Sequence, residues 1–257
     1  MSTIRVASPN SRFMRSRGNA VRALALLSAL LAVALAGGCR MMSQTQNAEG
    51  VTMFQQAYYQ GALQRFHQSM QTDPSNADAY YNLAATYQRL GKLHNQKSDF
   101  DQAESYYHQC LDHDPNHQDC YRGLAVLLVD EGRSQDAFTL VQNWEQRSPS
   151  LAAPKIELAR LYDESGNKAV AKQELIDALA VDPNNARALA ALGKLREDSG
   201  ETAQALANYQ RSLSINRYQP QVAQRVAALQ TSIGAPAGPT PPGGTRMVTS
   251  PAQPFRQ

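Results

Sequence analysis

The sequence predicts an all-α fold in which one helical hairpin stacks on the next. Three observations predict it. The first is a repeated phrase: "YYNLAATYQRLG" at 80–91, "YRGLAVLLVDEG" at 121–132, "KIELARLYDESG" at 155–166 and "LAALGKLREDSG" at 189–200, the last three starting 34 residues apart. Self-similarity at this period means that each copy is one supersecondary unit, stacked on its neighbours to bury a continuous core. The second is the punctuation, because each phrase ends in Gly and is followed by an Ala, a large apolar residue and, in all but the last copy, a Pro-containing turn. The third is composition, rich in Ala, Leu and Gln with 7% aromatic and 18% charged residues, which suits packed helices better than sheets.

The units can be followed residue by residue. Residues 152–185 supply Leu158, Ala159, Tyr162, Gly166, Ala171, Leu175, Ala178 and Pro183. At the same offsets, residues 118–151 supply Tyr121, Leu124, Ala125, Leu128, Gly132, Ala137, Val141 and Pro149. Residues 186–219 supply Leu189, Leu192, Gly193, Gly200, Ala205 and Tyr209, with Arg217 in place of the Pro. Small residues at positions 8, 20 and 27 of the pattern let the two helices of a unit approach closely. Gly at position 15 permits a tight turn between them, and Asp-Pro ends the second helix. This pattern resembles the tetratricopeptide repeat (TPR), and the resemblance implies a right-handed superhelix, an α-solenoid of about five repeats over 48–233.

Two copies deviate. Residues 77–117 keep Tyr80, Leu83, Ala84, Tyr87 and Gly91, then Ala103, Tyr107, Cys110 and Pro115, but seven extra residues, 92–98, stand between the halves. Seven residues are about two helical turns, so either both helices lengthen or a longer loop forms. Residues 43–76 keep Gly50, Met53, Ala62, Phe66 and Pro74 around a polar first helix, as terminal repeats often do. Trp144 puts a bulky side chain at the small position 27, which predicts a wider helix crossing. Residues 220–233, with Val222, Val226 and Leu229 on one face and Gln and Arg on the other, read as the solvating cap of the stack. The stretch 234–257, rich in Pro, Gly, Thr and Ser, reads as a disordered tail.

The N-terminal segment reads as an export signal. Arg5, Arg12, Arg15, Arg17 and Arg22 precede a 14-residue apolar run, Ala23–Ala36, which is short for a bilayer span and fits a signal-peptide core. "LAGGC", Leu35–Cys39, resembles the lipobox of bacterial lipoproteins, departing from it where Ala36 replaces the usual Leu. The resemblance implies removal of residues 1–38 and lipidation of Cys39, with residues 39–47 as a tether. It also implies membrane attachment through the anchor, on the periplasmic side of the outer membrane because Arg40 rather than an acid follows the Cys.

Charge excludes one function class. Residues 1–39 carry five Arg and no acid, so the formal charge of +3 becomes 20 bases against 22 acids in the remainder. Nucleic-acid binding leaves a basic stripe, and none is present here. There is no phosphate-binding Gly loop, GxSxG or HExxH, no catalytic residue is assigned and no cofactor is implied. Glu157, Asp163, Glu164, Glu197 and Asp198 read as solvated surface charge.

Cys110, His113, His117 and Cys120 form a C-x₂-H-x₃-H-x₂-C cluster of zinc-type ligands around an Asp-Pro turn. Three readings stay open: free thiols, a Cys110–Cys120 disulfide suited to an oxidising compartment, or a metal site. By the TPR resemblance, the concave groove is the partner surface, lined by positions 2, 5, 9, 12 and 13 of each first helix. These positions include Tyr81, Gln88, Arg89, Arg122, Val126, Ile156, Arg160, Arg187 and Lys194. Bases mixed with Tyr, Val and Ile suit a protein ligand presenting an extended peptide or a partner helix of some acidic character. Reversing Arg122 and Arg160 is then expected to weaken partner capture and leave helicity intact. The chaperone-tail clamp of some TPR proteins is not met: Asn82 fits, but Asn47, Val51, Asp119 and Gly123 do not.

These features predict a non-enzymatic scaffold for envelope components, of the kind that assists pilus or secretion-channel assembly or organises cell-wall enzymes. Two rival functions are a metal or redox sensor using the Cys110–Cys120 window and a spacer that presents the Pro-rich tail.

Overall fold

A computed structural model of the chain describes residues 38–234, and it is helical throughout that span, with no strand among the described residues. Of the predicted export signal, 1–38, residues 1–37 lie outside the described residues, as do residues 235–257 of the predicted tail, 234–257. Helix α1 covers residues 38–55. It is followed by α2 (Tyr59–Thr72), α3 (Ala77–His94), α4 (Lys97–His113), α5 (Gln118–Asp130), α6 (Ser134–Arg147), α7 (Ala152–Glu164), α8 (Lys168–Val181), α9 (Ala186–Asp198), α10 (Thr202–Ile215) and α11 (Pro220–Gly234). The helices fall into two compact units that divide after Leu161, within α7.

In the first unit α2 packs on α3, α3 on α4, α4 on α5 and α5 on α6, while α3 also touches α5. Its core includes Ala62, Leu63, Phe66, Leu83 and Leu90, with Val51, Phe54, Tyr87 and Tyr106 packed against them. In the second unit α8, α9, α10 and α11 pack in sequence. There α11 lays Val222, Val226 and Leu229 against Ala205, Leu206 and Tyr209.

The repeat physics is visible at three positions. At position 15, Gly132, Gly166 and Gly200 adopt φ of +79°, +84° and +77°, the left-handed conformation that a side chain disfavours. The first repeat places Ala57 there at φ +60°, which strains a non-glycine residue. At position 8 a methyl group on Gly193 would meet the Tyr209 ring at 2.7 Å, so only Gly lets α9 and α10 approach this closely. At position 27, Ser69 donates to the Ser43 carbonyl at 2.9 Å and Ser212 to the Ala186 carbonyl at 2.7 Å, tying the two helices of each hairpin together.

Residues 92–98 lengthen helices. Helix α3 runs through Gly91 to His94, and the left-handed turn moves to Asn95 at φ +53°. The two helices reach 18 and 17 residues, against 13 and 14 for the next pair. Residues 39–47, expected as a tether, are instead part of α1. The reason is polar packing that composition alone conceals, since Ser43 is fully buried and bonds across to Ser69. Trp144 is taken up by stacking, its ring parallel to Tyr121 at a centroid distance of 4.1 Å and its indole N–H donating to Asn116 at 3.0 Å.

Candidate functional site

In the first unit, α1 and the N-terminal ends of α3 and α5 enclose a polar cleft of about 420 Å³. It is lined by Arg40, Gln44, Asn47, Ala48, Asp73, Ser75, Asn76, Ala77, Asp78, Asp114 and His117. Helix capping places several of these side chains. Asn76 precedes α3, accepts from the Ala79 amide, and turns its Nδ2 to donate to the Ser43 hydroxyl at 2.8 Å. His117 does the same for α5, accepting from the Cys120 amide at 3.2 Å through Nδ1. Its Nε2 meets Asp78 at 3.0 Å, so the ring is held at both nitrogens. Asn82 donates to Asn47 at 3.0 Å, bridging α3 and α1.

Beside the cleft lies a small apolar slot of about 100 Å³, formed by Val51, Phe54, Phe66, Tyr81, Asn82, Ala85 and Thr86. Tyr81 stacks on His117 at 5.6 Å and so connects slot and cleft. Polar side chains beside an apolar slot fit an extended peptide, whose alternate side chains point to opposite sides.

The second unit has its own concavity of about 470 Å³ between α9, α10 and α11, with Ala190, Ala191, Val222 and Tyr209 on its walls and Lys194, Glu197, Asp198 and Arg225 at its edges. Glu197 is held there by Arg225 and by the Tyr209 hydroxyl, which donates at 3.0 Å.

Comparison with known proteins decides what kind of array this is. Family models described as TPR repeat or tetratricopeptide repeat match residues 52–91, 77–106, 95–144, 128–195 and 186–219, an unbroken run from 52 to 219. The chain is built of tetratricopeptide repeats. Solved structures agree on the fold. A thermophilic TPR protein of Thermus thermophilus is 22% identical, with a TM-score of 0.56 over 73% of this chain and 98% of that one. A TPR protein of Parabacteroides merdae is 14% identical, with a TM-score of 0.55 over 72% and 70% of the two chains. The pilF protein of Pseudomonas aeruginosa is 17% identical, with a TM-score of 0.50 over 76% and 86%. No curated protein matches the sequence.

The residues expected to line a groove expose fewer bases than the sequence implies. Arg89 and Arg122 are exposed, Arg89 donating to the Tyr59 hydroxyl at 3.2 Å, and Val126 and Arg187 are partly buried. Gln88 is buried and accepts from the Tyr107 hydroxyl at 2.8 Å, so it serves the core. Ile156 is buried as well. Arg160 donates to Glu157 at 2.9 Å, and Lys194 pairs with Asp163 at 2.8 Å. Glu157, expected on the surface, is fully buried, and Glu197 keeps only 15% of its side chain exposed. Reversing Arg160 would set two acids together in the interior, so it is not a clean probe of the groove.

None of the predicted groove residues lines the polar cleft; Tyr81 lines the slot and Lys194 the second concavity. Of the cleft residues, His117 is singled out by sequence only as a metal-type ligand, and Asp73, Asn76, Asp78 and Asp114 are missed because they sit at or beside the turns between TPR units. Sequence reading assigns such residues to caps and turns. The Asn or His that recurs just before a first helix was the available signal.

The cysteines resolve around the same turn. Cys110, on the last turn of α4, and Cys120, on the first turn of α5, are joined by a disulfide with Cα atoms 6.5 Å apart. Their sulfurs lie within 4.8 Å of a His117 nitrogen, but bonded to each other they are not thiolate ligands. His113 is elsewhere, stacked on Tyr80 at 4.7 Å, so the four-ligand cluster does not assemble. Cys39 is exposed and free. No helix among the described residues is long and apolar enough to cross a membrane.

The Asp78–His117 pair predicts a pH dependence. Burial pulls the His117 pKa down, but the hydrogen bond and charge of Asp78, with Asp114 and Asp119, outweigh it and hold the value above the usual 6.5. The hydrogen bond from His117 in turn holds Asp78 below its usual 3.8. A raised histidine stabilises the fold fully below pH 6.5 and loses that contribution as pH rises through its folded value. A depressed aspartate contributes above 3.8 and fails as pH falls through its folded value. The side chain of Asp78 is 70% exposed, so the pair is worth about 0.5 kcal/mol. Asp78→Asn is expected to cost most near about pH 5.5, where protonation exchanges the Cys120 amide bond to Nδ1 for a charged pair with Asp78, and least near about pH 8.5, followed by thermal unfolding. An equal cost at both pH values would contradict the pairing.

Proposed function

We propose that this protein is a non-enzymatic TPR scaffold, anchored to the cell envelope through lipid on Cys39, that captures an extended segment of a protein partner along its concave face. The observation that carries the reading is the cleft and slot of the first unit, which together offer amide and carboxylate side chains beside an apolar recess. The export-type N-terminus, its "LAGGC" ending and the exposed Cys39 support the anchor. Arg40 after the Cys favours the periplasmic face of the outer membrane. An anchored scaffold of this kind would serve pilus or secretion-channel assembly, or bring cell-wall enzymes together. Likeness to pilF, at 17% identity, supports the fold that such a role would use.

The partner segment has acidic character where it meets Arg89 and Arg122. Converting both to Glu is expected to lower capture from solubilised membranes at least about tenfold, a loss of about 1.4 kcal/mol or more. Helicity should be unchanged, because both side chains are exposed. An unaltered capture profile would remove these two bases, which line neither the cleft nor the slot, from the binding surface. Cys39→Ser should move the protein out of the membrane fraction without altering capture by the soluble form.

A further inference from the structure

There is no slack between the anchor residue and the repeat array. Cys39 lies within α1, and Ser43, one turn later, is fully buried. Ser43 donates to the Ser69 carbonyl at 3.0 Å, receives a bond on its own carbonyl from the Ser69 hydroxyl at 2.9 Å, and accepts from Asn76 at 2.8 Å. Four helical residues advance about 6 Å, so the anchored residue stands one turn from a fixed point of the array. Further along α1, a methyl on Gly50 would lie 2.5 Å from the Phe66 ring, so this contact pins the helix at a second place. A helix held at two points does not pivot about its first turn.

That first turn presents apolar surface that no other described residue covers. Met41 is 72% exposed and Met42 60%, with exposed Arg40 beside them. In the sequence only Gly37 and Gly38 separate the apolar run Ala23–Ala36 from Cys39. Acyl chains on Cys39, or the apolar run itself, would place a bilayer within a few ångströms of both methionines.

Resting on the lipid anchor proposed above, we infer that the first turn of α1 lies in the headgroup layer, with Met41 and Met42 in lipid and the first unit held at a fixed orientation to the membrane. The thioether side chains are apolar and adaptable, which suits a fluid surface. Arg40 is positioned to meet lipid phosphate. Arg40 also lines the polar cleft, so the cleft opens at the membrane surface. Its partner segment is therefore presented close to the bilayer rather than deep in the compartment.

The test uses the full lipidated chain in vesicles of phosphatidylethanolamine and phosphatidylglycerol. A spin label is placed at Met42→Cys or, as a water-phase reference, at exposed Gln135→Cys on α6. Cys39 is blocked by lipid and Cys110 by Cys120, so each variant carries one reactive thiol. The Met42 label is expected to relax faster with oxygen than with a water-soluble nickel complex, and the Gln135 label the reverse. A vesicle-bound protein in which both labels respond alike to the nickel complex would overturn this inference and leave the anchor standing. Spin–spin broadening at Met42 would assign the methionine pair to a second copy of the chain and also overturn it. Absence of lipid mass on the Cys39 peptide would overturn the anchor and this inference together.

Discussion

Replacing Glu157 by Ala is expected to destabilise the protein by about 3–5 kcal/mol, the largest effect of any single change considered for this chain. The carboxylate is fully buried and accepts from Arg160 Nε at 2.9 Å, while Arg160 itself keeps only 16% of its side chain exposed. Removing the acid takes a charge partner from a largely buried guanidinium, and desolvating such a group costs more than the bond itself is worth. Glu157→Gln keeps an acceptor in place and should cost less. Glu157→Leu with Arg160→Met removes both charges, and such replacements of whole buried pairs often restore most of the loss. Denaturant midpoints of the wild type and these three variants measure the series. A Glu157→Ala loss below about 0.5 kcal/mol would mean that the residue behaves as ordinary surface charge.

The second large effect belongs to the Cys110–Cys120 disulfide. Both cysteines are fully buried and the bridge closes a separation of 10 residues. Restricting an unfolded loop of that size is worth about 3 kcal/mol in the chain-entropy account. Cys110→Ala with Cys120→Ala should therefore lower stability by about that amount. The wild type should fall similarly in reductant, and the double variant should not respond. The fold itself should survive, because the Asp-Pro turn and the His117 cap remain. A wild type that is indifferent to reductant and alkylates at both residues without it would show that the thiols are free.

How far the molecule could be read from its sequence follows from where each constraint resides. Gly132, Gly166 and Gly200 were legible because a left-handed turn needs a residue without a side chain, and that need recurs at a fixed offset. The packing of Val222, Val226 and Leu229 was legible because helical spacing puts them on one face. The insertion 92–98 was half legible: periodicity allowed longer helices but could not choose them over a loop until Gly91 proved able to sit inside a helix against Phe100. Glu157 was not legible, since the burial of an acid is decided by neighbours far away in sequence. The start of α1 was hidden for a related reason, because its docking uses Ser43, Ser69 and Asn76 rather than an apolar stripe. The cleft was missed because its walls are caps and turn residues, whose local roles mask a shared cavity.

The proposed partner surface includes Arg122, which is exposed on α5. A photo-crosslinking residue placed in cells at Arg122, on α5, tests it most directly against the same residue at Gln135, on α6. One discrete crosslinked partner is expected from position 122, diminished by Arg89→Glu, and none from position 135. Crosslinks of equal strength from both positions, or from 135 alone, would contradict it.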